Sequence, residues 1–189
     1  MKTMTKEKTK SPLLHTAAAP ANDTIERSEF ATAMRGLPSG VVVITSYVDD
    51  KPWGVTLSSL SSFSAEPARV SFSILRTTAT AAHIRDHGTL GVAILSSDAG
   101  DLAARQAAAG QPKFLNEDDL LPQRGQRLGM PLVVGAVMNL ECQVAFYVEV
   151  LDHLLVVADV VSAVGEKTND CGLLYWNRTF GHFEQGVLA

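Results

Sequence analysis

The stretch Gly54-Val-Thr-Leu-Ser-Ser-Leu-Ser-Ser-Phe-Ser64 places five serines and a threonine within eleven residues of an otherwise apolar chain. Small hydroxyl side chains in an extended segment keep its main-chain N–H and C=O groups near the surface, where a ligand can meet them. A polar edge strand with a turn produces the same composition. A second hydroxyl set, Thr77, Thr78 and Thr80, follows Arg76 and opens an alanine-rich helical pattern. Hydroxyls and a cation beside a helix N-terminus suit a phosphate, because unpaired donors and the positive end of the dipole meet there. Ordinary helix capping accounts for these threonines as well.

Other chemistry is absent. The sequence has no G-x-G-x-x-G, Walker loop, H-E-x-x-H or G-x-S-x-G. Glu117-Asp118-Asp119 are adjacent on a loop-like segment, whereas an acid and base pair needs opposed positions. His83 and His87 have metal-ligand spacing on one helical face, but no third ligand is near them, so no metal is expected. A chain so short of acids, bases and metal ligands can still catalyse a reaction if a cofactor carries the difficult chemistry and the protein supplies position. Hydride transfer between two bound rings fits that division of labour.

The whole chain sets limits. With 189 residues and 46% hydrophobic content it accommodates one domain with a continuous core. A formal net charge of -4 argues against a nucleic-acid partner. Cys142 and Cys171 stand far apart with no CxxC, which suggests buried thiols. No apolar run reaches membrane-spanning length, and Pro131 and Gly135 interrupt the longest candidate, so a soluble, cytoplasmic protein without membrane contact is expected. Residues 1–24, with Lys2, Lys6, Lys8 and Lys10, are expected to form a flexible N-terminal tail, and residues 25–189 the folded domain.

The elements that must position these groups are mostly strands. Phe30, Ala33, Met34 and Leu37 have helical spacing and stop at Pro38 and Gly40. Gly40 to Val48 and the segment from Trp53 are expected to form a hairpin broken at Asp49-Asp-Lys-Pro52. Ala68 to Leu75 alternates, with Val70, Phe72 and Ile74 on one face. Thr78 to His87 predicts a helix ended by Gly88, Leu90 to Leu95 a strand, and Asp98 to Ala109 a helix capped by Asp98. Lys113 to Arg127 predicts a long surface loop. Strands follow over Ala136 to Leu140, Cys142 to Leu151 and His153 to Ala163, and Leu173 to Phe183 closes the domain. Many strands, short helices and no repeated βα alternation predict a mainly β, antiparallel barrel.

Four segments, in order, resemble the flavin reductase family. These are Leu37-Pro-Ser-Gly-Val-Val-Val-Ile-Thr45, the serine array through Ala65-Glu-Pro67, Arg76-Thr-Thr-Ala-Thr80 after the third strand, and Asp152-His153 before a β-rich run. The closing Leu173-Leu-Tyr-Trp-Asn-Arg178 also fits, so the resemblance covers about Phe30 to Phe183. It implies an FMN-binding split β-barrel with Greek-key-like antiparallel strands. It also implies an NAD(P)H-dependent reductase that passes hydride from NADH or NADPH to FMN or FAD, often for a flavin-dependent monooxygenase component, and a homodimer.

On that resemblance, Thr56, Leu57, Ser58, Ser59, Leu60 and Ser61 meet the flavin ring, and Thr77, Thr78 and Thr80 hold its phosphate. His153 is the catalytic candidate at the nicotinamide nucleotide, with Tyr175, Trp176, Asn177 and Arg178 along the same cleft. Arg124, Arg127 and Arg178 are the cations available for a 2'-phosphate. Ala93 and Ala158 depart from the asparagine and glycine common in the family's pocket, and Leu75 and Ala79 replace polar residues frequent around its phosphate, which leaves FMN against FAD open. A non-catalytic flavin carrier or sensor, a split-barrel oxidase and a haem-binding relative are the alternatives.

Overall fold

The computed structural model describes residues 24–165 and 171–183. The tail expected over 1–24 therefore lies outside the described residues except at Thr24. Helix α1 (Arg27–Met34) forms where its spacing predicts, followed by the short strand β1 (Ser39–Gly40). Its apolar residues stay outside the core: no α1 residue is buried, and Phe30, Met34 and, beyond the helix, Leu37 are exposed. The helix precedes the barrel strands and lies outside them.

Asp49 and Asp50 both adopt left-handed backbone, φ 50 and 59, and so make the tight turn between β2 (Val42–Val48) and β3 (Lys51–Leu57). The chain continues through β4 (Ser61–Ala65), β5 (Ala68–Leu75), α2 (Ala79–His87), β6 (Thr89–Leu95) and α3 (Gly100–Ala107). Two long strands follow, β7 (Ala136–Val150) and β8 (His153–Val164), then the small hairpin β9 (Leu174–Trp176) and β10 (Thr179–Gly181). Seven strands form one antiparallel sheet in the order β3-β2-β6-β7-β8-β5-β4, while β1, β9 and β10 form a separate sheet. The jumps from β2 to β6 and from β5 to β8 give the Greek-key-like path.

Inward residues from strands along this sheet meet in one core. Val42 and Ile44, Val70, Phe72 and Ile74, Leu90 and Val92, and Leu154 and Val156 pack together with Ala81 and Ile84 of α2. A sheet whose one face converges on a single cluster must curl around it, and α2 plugs the curl. The opposite face of β2 and β6 is covered too: Val43, Ala93 and Leu95 pack with Leu102, Ala103, Leu115, Val133 and Leu173. That double burial explains why Gly40 to Val48 reads as a continuous apolar run without alternation.

Three elements differ from expectation. Helix α3 starts at Gly100, with Ala99 at its N-cap and no side-chain cap, so Asp98 does not cap it. The strands expected over 136–140 and 142–151 are one strand, β7, which keeps pairing with β8 across register shifts at Glu141/Cys142 and Val144/Phe146. The bulges bend the strand without ending it. The loop expected over 113–127 carries one 3-10 turn (Glu117–Asp119), where Asn116 and Asp119 cap each other's main chain.

That loop is tied to the barrel by a buried charge. Glu141 is fully buried, and its carboxylate accepts the N–H groups of Arg127, Leu128 and Met130 at 2.8–3.3 Å. Burial alone would raise its pKa; these donors and Ser162 outweigh it and hold it below the ordinary value. Thr45 Oγ1 and Tyr47 Oη donate to the carbonyls of Pro131 and Gly129, fastening the same loop.

Candidate functional site

Strands β3 and β4 are the two outer edges of the seven-stranded sheet and do not pair with each other. Six antiparallel steps separate them, so both edges run in the same sense. Residues Ser58, Ser59 and Leu60 carry the chain forward from one edge to the other, across the split of the barrel. Among the described residues their main-chain N–H and C=O groups make no backbone hydrogen bond. Ser58 and Ser59 are exposed, while Leu57 and Leu60 are half-buried against the barrel core. The wall is thin, polar and unpaired where a flat ring with polar edges would need it to be.

The hydroxyls of this segment do different things. Thr56 Oγ1 donates to the Ala103 carbonyl of α3 at 2.9 Å, which joins the end of β3 to that helix. Ser59 Oγ donates to the Ser73 carbonyl at 2.9 Å and accepts the Ser73 N–H at 3.2 Å. Ser61 begins β4 opposite Ser71.

The turn after β5 adjoins this wall. Thr78 Oγ1 accepts the Ala81 N–H and donates to the Leu75 carbonyl, so it caps α2 as its position at the helix start predicts. Thr77 is exposed, and the N–H of Ala79 has no backbone partner among the described residues, which leaves a hydroxyl and an amide at the helix start. Thr80 is fully buried with its hydroxyl 3.4 Å from that of Ser46, so its side chain serves the interior and offers nothing to a surface phosphate.

His153 stands opposite Leu75 across the β5–β8 ladder, and the Arg76 N–H donates to the Asp152 carbonyl at 2.9 Å. Ser73, which Ser59 grips, pairs with Leu155 two positions along. The tertiary structure thus gathers the serine wall, the start of α2 and His153 at one end of β5 and β8. His153 Nδ1 lies 2.7 Å from the Asp152 carboxylate. A carboxylate only accepts, so Nδ1 carries the hydrogen, and Nε2 is the acceptor of the neutral ring. The hydrogen bond from His153 holds the Asp152 carboxyl below its ordinary pKa, with Arg76 adding to it. Glu149 accepts from Arg85 at 2.9 Å and lies 3.8 Å from Arg76, so Arg85 is firmly held and Arg76 only loosely.

Tyr175, Trp176, Asn177 and Arg178 belong elsewhere in the single chain. They form β9 and the left-handed turn that follows it, φ 48 at Asn177 and 65 at Arg178, pairing with β1 at Ser39 and Gly40. Two grooves flank this hairpin, about 360 and 200 Å³, lined by Trp176 and Asn177 together with Pro38 and Phe180 on one side and Met34 and Arg35 on the other. Neither groove is lined by His153 or by any residue of the serine wall. The common cleft expected for them with His153 is therefore not formed within one chain. Of the cations considered for a 2'-phosphate, Arg124 lies over the Tyr47 ring, 5.1 Å from its centroid.

His83 and His87 stack at 4.3 Å, and among the described residues no group of three or more His, Cys, Asp or Glu could hold a metal ion. Cys142 is buried, and desolvation pushes its thiol up to about 12, so it is inert at neutral pH. Sequence reading missed Glu149, Arg85 and Ser73 at the site. They come from three separate elements, and no local motif marks them.

The residues present fit a flavin nucleotide: small side chains, unpaired main chain for a ring edge, and a capped helix start with Thr77 and Arg76 for a phosphate. Comparison with known proteins points the same way. A family profile described as "Flavin reductase like domain" matches residues 34–184. The chain is 31% identical over 159 residues to the reductase component of 4-nitrophenol 4-monooxygenase/4-nitrocatechol 2-monooxygenase of Rhodococcus opacus, covering 84% of this chain and 82% of that protein. It is 27% identical to "Flavin reductase (NADH)" of Kitasatospora aureofaciens, over 84% of this chain and 83% of that one. Among solved structures, the NADH:FAD oxidoreductase SgcE6 of Streptomyces globisporus C-1027 superposes with a TM-score of 0.75 at 25% identity, covering 89% of this chain and 99% of that chain. The split-barrel fold, the ordered motifs and these similarities together lead to one assignment: the chain belongs to the flavin reductase family.

Proposed function

We propose that this protein is an NADH-dependent flavin reductase that delivers reduced FMN or FAD to a flavin-dependent monooxygenase component. The observation that carries the reading is the unpaired main chain of residues 58–60, spanning the barrel split beside His153 and the start of α2. The names of its relatives support NADH as donor and a reductase role in a two-component system.

The flavin, when bound, accepts hydride from the nicotinamide. The chain's own residues bind and orient. Main-chain groups of Ser58, Ser59 and Leu60 meet the ring edge, Leu57 and Leu60 back it with apolar surface, and Ser61 continues the wall. Thr77, Arg76 and the unpaired N–H of Ala79 hold the phosphate at the positive end of α2, which the Thr78 hydroxyl caps. His153, oriented through Nδ1 by Asp152, presents Nε2 toward the donor nucleotide. No proton transfer by the protein is required for hydride transfer itself, which agrees with the scarcity of acids and bases.

A homodimer belongs to this reading. Leu75, Val150, Leu151 and Leu155 are exposed aliphatic side chains around His153, a surface that a second copy would bury. A partner copy would also supply what one chain lacks, bringing Tyr175 to Arg178 to the site. The protein is expected in the cytoplasm; no helix among the described residues is long and apolar enough to cross a membrane.

The test is anaerobic addition of NADH to purified protein with FMN, then with FAD. Bleaching of the yellow flavin absorbance with stoichiometric NADH oxidation is the expected result. Turnover with neither flavin would overturn the proposal.

A further inference from the structure

We propose that Ser59 is a positioning residue: its hydroxyl takes the place of its own backbone in the β4–β5 ladder and so releases the Ser59 main chain to face a ligand. The proposal rests on the flavin reductase reading for the identity of that ligand, and on register alone for the device.

The ladder pairs Ser61 with Ser71 and Ser62 with Val70, and continued two residues further it would set Ser59 opposite Ser73. In an ideal antiparallel ladder the Ser59 main chain would exchange both hydrogen bonds with Ser73 at that slot. Instead Ser59 Oγ does so, donating to the Ser73 carbonyl at 2.9 Å and accepting its N–H at 3.2 Å. A serine hydroxyl is suited to this, since it holds one donor and two acceptor sites on a single atom. The edge of β5 is thereby satisfied while the backbone of Ser59 stands off by the length of its side chain. The N–H and C=O of Ser59 then remain without backbone partners among the described residues, beside those of Ser58 and Leu60, which an antiparallel ladder turns away from β5 in any case. Were the ladder to extend by main-chain pairing, the N–H and C=O of Ser59 would be used up on Ser73. The hydroxyl spares them.

The role assigned to Ser59 is indirect, and the test separates it from direct contact with a ligand. Amide hydrogen exchange at Ser73 is measured in flavin-free protein, and FMN affinity and the flavin and NADH KM values are measured alongside. Ser59→Ala is expected to speed Ser73 exchange at least about tenfold, to weaken FMN binding about tenfold, and to raise the KM for flavin while leaving that for NADH unchanged. The isosteric pair Ser59→Thr and Ser59→Val carries the same comparison should the alanine variant fail to fold: threonine keeps exchange and affinity within about threefold of wild type and valine does not. FMN binding weakened with Ser73 exchange unchanged would make the hydroxyl a direct ligand and overturn the proposal, as would unchanged binding in Ser59→Ala. A wild-type protein that binds neither FMN nor FAD would sink the reductase reading, while the exchange rates would still report whether the hydroxyl closes the ladder.

Discussion

Leu75 and His153 are partners across the β5–β8 ladder, and that pairing joins the turn carrying Arg76, Thr77 and Thr78 to the histidine 75 to 77 positions later in the chain. The Arg76 N–H bond to the Asp152 carbonyl fixes the junction from the other side. The groups proposed for the phosphate and for the nicotinamide therefore share one corner, although neither is near the other in sequence.

If the His153 ring serves the donor and not the flavin, as proposed, His153→Ala lowers kcat/KM for NADH by at least about tenfold while the flavin dissociation constant stays within about twofold. Steady-state kinetics and a flavin titration on the same preparation check it. Asp152→Asn loses only the orienting charge at Nδ1 and is expected to cost about threefold in the same ratio.

Arg76 is shared with Glu149 at 3.8 Å, and Arg85 already neutralises that carboxylate. Glu149→Gln is expected to free Arg76 and tighten FMN binding about twofold to fivefold without changing riboflavin binding, since the gain is confined to the phosphate. Equal gains for both flavins would contradict a phosphate at that corner. Raising the salt concentration should erase the difference.

Glu141 anchors residues 127–130 as a buried, ionised carboxylate. Its folded pKa lies below its unfolded one, so its contribution to stability is present above the ordinary carboxylate value of about 4.3 and is lost as pH falls through the lower folded value. Denaturant midpoints for wild type should fall on acidification through that window. Glu141→Gln is expected to lose about 2 kcal/mol at neutral pH and to flatten that acid limb. A Cβ at Gly125 would overlap this carboxylate, so Gly125→Ala should weaken the same anchor.

The dimer is tested by charge. Sedimentation of wild type at micromolar concentration should give twice the chain mass, and Leu155→Asp, on the exposed aliphatic face beside His153, should give monomer. Dimer persisting in that variant would place the interface elsewhere, with the exposed side chains of α1 the next surface to probe.

Much of the fold was legible in the residues. Alternation in Ala68 to Leu75 marked β5 because one face is buried and the other is not, and Thr78 with Gly88 bounded α2 because capping is local chemistry. The misreadings came where distant packing decides. The spacing of Phe30, Ala33 and Met34 marked α1 correctly, but which surface covers a helical face depends on elements far away in the chain or on another copy. Two strands were expected where β7 runs continuously, because bulges interrupt local pattern without interrupting pairing.

What the sequence determined by itself was the inventory: hydroxyls where small polar groups are needed, a mainly β chain, and an ordered set of motifs that fixes the family. What only the tertiary structure decided was which groups share a site and what each hydroxyl does. Thr80 turned inward, Thr56 and Thr78 were taken up by neighbouring carbonyls, and Ser59 was spent on Ser73. The reason is physical: side-chain type follows from the chain one residue at a time, whereas hydrogen-bond partners follow from strand register, which is set by burial across strands remote in sequence.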